Sequence, residues 1–188
     1  MSTPRIGFTP SRQPQPDWIR RMPVKALAKE VAKGDALILV SGKVAAASAA
    51  TNPTKAGFGV CLAVYTTAGR PLTFQNTKYI ASGQVGQADV CYDPNQTYYV
   101  QCITSVGLSN IGSNLMIDVS AGNALTGLSG QSVDFPASAS TGEYFKLINV
   151  LDPSRLTGVT GTGSGGSANN GVEVKWNYHF LHAPTAAA

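Results

Sequence analysis

The stretch Val172-Glu173-Val174-Lys175-Trp176-Asn177-Tyr178-His179-Phe180-Leu181-His182 decides the fold class. Val172, Val174, Trp176, Tyr178 and Phe180 alternate with Glu173, Lys175, Asn177, His179 and Leu181, and a period of two is that of a half-buried strand. Asn170-Gly171 immediately before it is a favoured hairpin turn. The 15-residue run Thr157–Gly171 (TGVTGTGSGGSANNG) carries six Gly and no anchor, so it reads as a flexible excursion between elements. Its central Gly161–Gly166 lacks the Gly-Lys-Ser/Thr ending of a phosphate-binding loop and leads into no helix, which removes the anion site that a helix N-terminus would supply.

Ahead of that loop the chain reads as further short strands. Ala36–Val40 (ALILV) and Phe58–Thr66 (FGVCLAVYT) are continuous apolar runs of strand length. Lys33-Gly34-Asp35 and Ser41-Gly42-Lys43 are turn signals, and Val44–Ala50 continues the meander. Pro23–Lys33 settles on no single period and leans to strand, while Leu72–Tyr79, Ile111–Ser120 and Tyr144–Leu151 are additional strand candidates. Asp93-Pro94-Asn95-Gln96 has the signature of a type I turn. It predicts a hairpin joining Ala88–Tyr92 to Thr97–Thr104, with Cys91 opposite Tyr98 and Cys102 opposite Gln87. Eight to ten short strands, with no helix longer than one turn, make the chain mainly β: an antiparallel β-sandwich or barrel.

Composition agrees. The 188 residues are 43% apolar and 13% charged, which excludes disorder throughout and allows one sizeable core, or two small ones at most. Charged groups usually make up about a quarter of a soluble domain. Here 16 Ser, 16 Thr and 10 Asn complete the surface, and 20 Gly with 11 Pro suit the many turns of a sheet protein. No stretch approaches the roughly 18 apolar residues of a membrane span. Met1–Pro16 has no apolar segment of the secretory kind, so synthesis and residence in a cytoplasm are expected. Cys61, Cys91 and Cys102 are odd in number and lack metal-ligand spacing, so they read as small buried hydrophobes.

Charge is unevenly spread. Residues 1–33 hold seven Lys or Arg against Asp17 and Glu30, a net +5, while the other 155 residues hold seven basic and eight acidic groups, a net −1. The basic part is also Pro-rich, which predicts an extended N-terminal arm over residues 1–22 on a single β-rich body over 23–188. Within the arm, Phe8, Trp18, Ile19 and Met22 are interleaved with Arg5, Arg12, Arg20 and Arg21. Trp and Arg dominate interfaces when buried there, so these eight residues are the candidate contacts to a partner.

Residues suited to catalysis are sparse. His179 and His182 are the only histidines, and their odd separation on one strand points them to opposite faces. No Gly-x-Ser-x-Gly occurs, and the carboxylates are scattered along the chain. The expectation is no enzyme, no cofactor and no metal. Direct nucleic-acid binding is not expected either, because the basic leader has only Phe8 and Trp18 as aromatics and no accompanying recognition motif.

Several segments together resemble the small head decoration, or cement, proteins of tailed bacteriophages. They are Ala32-Lys33-Gly34-Asp35-Ala36-Leu37 followed by Ser41-Gly42-Lys43-Val44-Ala45, then Ile111-Gly112, Thr126-Gly127-Leu128-Ser129, and a closing Val172-Glu173-Val174 with Asn177 and His179. As an order of segments the resemblance covers residues 24–182. It implies a β-rich body that binds the outer surface of the major capsid protein lattice, as a homotrimer or homodimer at a symmetry axis, and stabilises the phage head. The place of action would be the virion exterior, with the host cytoplasm during assembly. The alternative is a phage tail or fibre module binding host glycans, for which Tyr92, Tyr98, Tyr99 and Tyr144 could form an aromatic platform.

Overall fold

The computed structural model describes residues 7–26, 30–47, 56–72, 78–119, 129–135, 143–151 and 170–181. Among them are eleven strands: β1 (Thr9–Pro10), β2 (Ile19–Val24), β3 (Ala36–Val40), β4 (Lys43–Ala46), β5 (Gly57–Tyr65), β6 (Gly86–Cys91), β7 (Thr97–Cys102), β8 (Asn114–Val119), β9 (Gln131–Asp134), β10 (Phe145–Val150) and β11 (Asn170–Trp176). The helical pieces among these residues are two 3-10 turns, Pro16–Trp18 and Leu108–Asn110. The chain is mainly β. Strands β2-β4-β3-β5-β6 close into a small barrel, and the remaining strands form a six-stranded sheet in the order β1-β7-β11-β10-β8-β9. That sheet curls back on itself, because β7 also meets β9 where Cys102 lies beside Val133.

One wall of the barrel faces two cores at once. Leu37, Val44, Phe58, Cys61 and Val64 point into the barrel with Met22, Val24 and Val90. Ala36, Ile38, Ala45 and Val60, on the same three strands β3, β4 and β5, belong instead to the core of the six-stranded sheet, with Ala47 just after β4. A strand covered on both faces has no polar side to show, and this accounts for the apolar Ala36, Leu37 and Ile38, while Leu39 near the end of the run is exposed. The two sheets are also clasped by a polar group. The Gln131 side chain, buried on β9, accepts from the Ala36 amide at 2.6 Å and donates to the Ala47 carbonyl at 2.9 Å.

The sequence that decides the fold class behaves as its alternation predicts up to Trp176. Val172, Val174 and Trp176 are buried, Glu173 is half-buried and Lys175 is exposed. Trp176 stacks on Phe145 at 4.4 Å, and a Cβ on Gly57 would sit 2.2 Å from its ring. Close approach of two elements, rather than a turn, therefore demands glycine at 57. Beyond Trp176 the strand ends, and Phe180, expected on the core face, is exposed.

Three expectations are corrected. First, residues 7–24 are not an arm apart from the body. Phe8 is 2% exposed, stacks on Phe145 at 4.6 Å and donates its amide to Gly34 at 2.8 Å. Strand β2 pairs with β6 along its whole length, from Ile19 beside Cys91 to Val24 beside Gly86. A boundary at residue 22 would cut through this strand. The prolines are tolerated because β2 meets β4 only at Val24, leaving an edge along which Pro23 need donate nothing. Second, the strands flanking Asp93–Gln96 do not form a hairpin. The turn exists, with Asp93 accepting from the Asn95 amide at 2.8 Å. It nevertheless carries the chain from barrel to sheet, since β6 is flanked by β2 and β5 while β7 pairs with β11, β1 and β9. Third, Gln131–Asp134 is a strand in the stretch between Ile111–Ser120 and Tyr144–Leu151, which holds none of the strand candidates above. Arg5, Thr157–Asn169 of the Gly-rich run, and residues 27–29, 48–55, 73–77 and 120–128 lie outside the described residues.

Candidate docking surface

The small barrel has two ends, and aromatic rings close one of them. Trp18 meets Tyr92 at 5.2 Å, Tyr92 meets Phe58 at 6.0 Å, and Phe58 meets Phe180 at 4.9 Å. Two backbone features place this row. The Tyr92 amide donates to the Trp18 carbonyl at 3.0 Å, extending the β2–β6 ladder by one step. After β11, Gly57 and Phe180 then join by a 2.9 Å bond from the Phe180 amide to the Gly57 carbonyl. Phe58 is buried within the row, but Phe180 at its end is 42% exposed, and the chain neighbours of its end members are open too: Leu181 is 49% exposed and Ile19 36%. Trp18 and Tyr92 are half-buried.

His179 sets the position of Phe180 and Leu181. Its ring is buried, with Nε2 2.8 Å from the Phe58 carbonyl, while Nδ1 accepts from the Leu181 amide at 3.2 Å. The proton therefore sits on Nε2, which donates to Phe58. Both nitrogens are engaged in holding backbone, so this histidine builds the surface without being part of it.

The eight candidate contacts separate into groups. Trp18, Ile19 and Arg20 lie at the aromatic end, and Arg20 is exposed with no carboxylate partner among the described residues. Arg12 is exposed and makes one long bond, 3.4 Å, to the Asn95 carbonyl. Phe8 and Met22 are buried in the two cores and cannot touch a partner. Arg5 lies outside the described residues. Phe180 and Leu181 join the surface although the alternation assigned Phe180 to the core. Their signal in the sequence was weak, since only the end of β11 at Trp176 frees them.

Arg21 is exposed but engaged. Its Nε and Nη2 donate to the two carboxylate oxygens of Asp89 at 2.8 and 3.1 Å, and its guanidinium lies 3.8 Å from the centre of the Tyr65 ring. The Tyr65 hydroxyl also donates to Asp89, at 2.6 Å. Bonding to Arg21 and Tyr65 holds the Asp89 carboxyl below its usual range, outweighing partial burial. The Tyr65 phenol is pushed up, first by its bond to that carboxylate. This planar two-bond pair fixes the outer face of β2, β6 and β5.

Elsewhere the polar inventory is structural. All three cysteines are buried thiols, and burial pushes Cys102 up to about 12 and Cys61 well above the ordinary thiol range. Of the tyrosines considered for a glycan platform, Tyr98 and Tyr144 are fully buried, so the four do not form one surface. Among the described residues no group of three His, Cys, Asp or Glu gathers where it could hold a metal ion, and no helix is long and apolar enough to cross a membrane. Compared with known proteins, the chain matches no family model and no curated sequence, so a functional reading must rest on its own geometry and on the segments quoted above.

Proposed function

We propose that this chain is a structural virion protein, a capsid decoration or cement protein that binds the outer surface of the major capsid protein lattice and stabilises the phage head. The observation that carries the reading is the aromatic end of the barrel. Trp18 and Ile19 at one end of the row, and Phe180 and Leu181 at the other, leave apolar surface open, with the exposed Arg20, which has no carboxylate partner among the described residues, following Ile19. Apolar surface grouped in this way marks interaction sites, and Trp with Arg is the pairing that dominates their energetics.

The segments behind the resemblance support the reading at the level of framework. Ser41-Gly42 turns β3 into β4 with both residues at positive φ, Val172-Glu173-Val174 lies in β11, and Asn177 and His179 are buried clasps. These residues build the body, and none of them is among the candidate contacts. The mechanism is mechanical. A rigid β-body seated across neighbouring capsomers adds interface that must be broken before the shell opens, and repetition over a closed lattice multiplies a modest bond. A homotrimer or homodimer at a symmetry axis would bring several aromatic ends onto the lattice together.

The test is co-sedimentation of the purified chain with heads prepared without it, alongside the temperature at which those heads release DNA. Binding with a raised release temperature is the expected result. Failure to bind would remove the capsid as partner.

A further inference from the structure

The other end of the barrel carries a cleft of about 220 Å³, and we propose that it binds a single neutral sugar ring. It lies roughly 20 Å from the aromatic end, since seven residues of β5 separate Phe58 from Tyr65 at the strand rise of about 3.3 Å per residue. Its apolar lining is Leu72, Ile80 and the exposed Val85. It is also fixed: Ile80 is buried and exchanges backbone hydrogen bonds with Val31 at 2.8 and 2.9 Å. Gly86 lies so close that a Cβ there would sit 2.7 Å from both the Tyr65 carbonyl and the Ile80 side chain.

Two tyrosines, Tyr65 and Tyr79, also line it, with Thr66, Thr67 and Gln84. Tyr65 is preorganised, with its hydroxyl bonded to Asp89 and one face of its ring covered by Arg21. Gln84 is exposed and offers both a donor and an acceptor, as does the Tyr79 hydroxyl. A ligand matching this lining needs one apolar face for a ring and the apolar side chains, and an edge that both donates and accepts hydrogen bonds. A pyranose has both. The ligand should carry no charge, because among the described residues no carboxylate, ammonium or guanidinium lines the cleft, and Asp89, bonded to the Tyr65 hydroxyl, is already paired with Arg21. It should be small, because the volume falls below the ~300 Å³ at which pockets for drug-sized ligands begin. The cleft shares no residue with the docking end, so the two proposals stand or fall separately.

The test is an NMR titration of the full chain with methyl glycosides of glucose, galactose and N-acetylglucosamine, and with N-acetylneuraminic acid as the charged probe. Saturable shifts of the Thr66, Thr67 and Gln84 amides are expected with at least one neutral glycoside. Tyr79→Ala should weaken that binding about tenfold, and Gln84→Ala, which removes only an exposed side chain, should weaken it with the melting temperature unchanged. An oligosaccharide ending in the same ring separates the sources: retained binding points to the end of a glycan chain, and lost binding to the free sugar. Absence of cleft shifts with every neutral glycoside would overturn the proposal. So would tighter binding of the charged probe, or shifts that survive both substitutions.

Discussion

At the scale of single residues, the account rests on close approach and burial. Gly57 lies against the Trp176 ring, where an added Cβ would come within 2.2 Å. Gly57→Ala is expected to cost about 1 to 3 kcal/mol through overpacking, read as a lower urea midpoint with an unchanged slope. The cysteines make a second prediction. Burial holds all three thiols in the protonated, unreactive form, so a thiol reagent at mildly alkaline pH should label none of them in the folded protein and all three after unfolding. Rapid labelling of any one without denaturant would contradict the packing described. The buried state of Cys61, Cys91 and Cys102 was legible in the sequence from their number and spacing. The need for glycine at 57 was not, because it depends on a ring more than a hundred positions away in the chain.

Alternation along β11 and the doubly apolar runs of β3 and β5 were legible at the scale of elements, because a local period reports which faces are covered. The leader was misread for a physical reason. Pro and Arg dominate its composition, yet Phe8, Met22 and Val24 suffice to anchor it, and edge pairing tolerates proline. Trypsin tests this directly. The bonds after Arg20 and Arg21 lie in a strand paired along its length with β6, so they should resist cleavage as long as the protein is folded, whereas a loose arm would be cut there at once. The partner strand β6 provides a pH test through Asp89. Its carboxyl is held below the ordinary 3.8 in the folded chain, so its contribution is complete above the unfolded value and is lost as pH falls through the lowered one. Asp89→Asn should remove that part of the acid limb, with an effect at neutral pH of no more than about 1 kcal/mol for a pair open to solvent. An unchanged acid limb would show that the Arg21 pair adds nothing to folding.

On the scale of the whole molecule, the β-class followed from composition, but the division into a barrel and a curled sheet sharing one wall, each with its own core, did not. It depends on the Asp93–Gln96 turn crossing between sheets, and the type I turn signature is the same whether a chain doubles back or moves on. The proposed docking surface was half legible. Trp18, Ile19 and Arg20 carry the composition of an interface, while Phe180 and Leu181 join them only because the last strand stops at Trp176. The folded leader also changes how the surface must be probed. Deleting residues 1–22 would remove β1, Phe8 and most of β2, so lost binding would report unfolding rather than lost contact.

The decisive measurement is therefore the occupancy of purified heads by the Trp18→Ala, Phe180→Ala double variant, set beside the wild-type chain, with the melting curve of each. The account predicts that the wild type binds, that the double variant keeps a cooperative melt, and that its attachment weakens by at least about 2 kcal/mol, the scale of an interface anchor. A double variant that stays folded and decorates heads as fully as the wild type would contradict the assignment of this surface to the capsid.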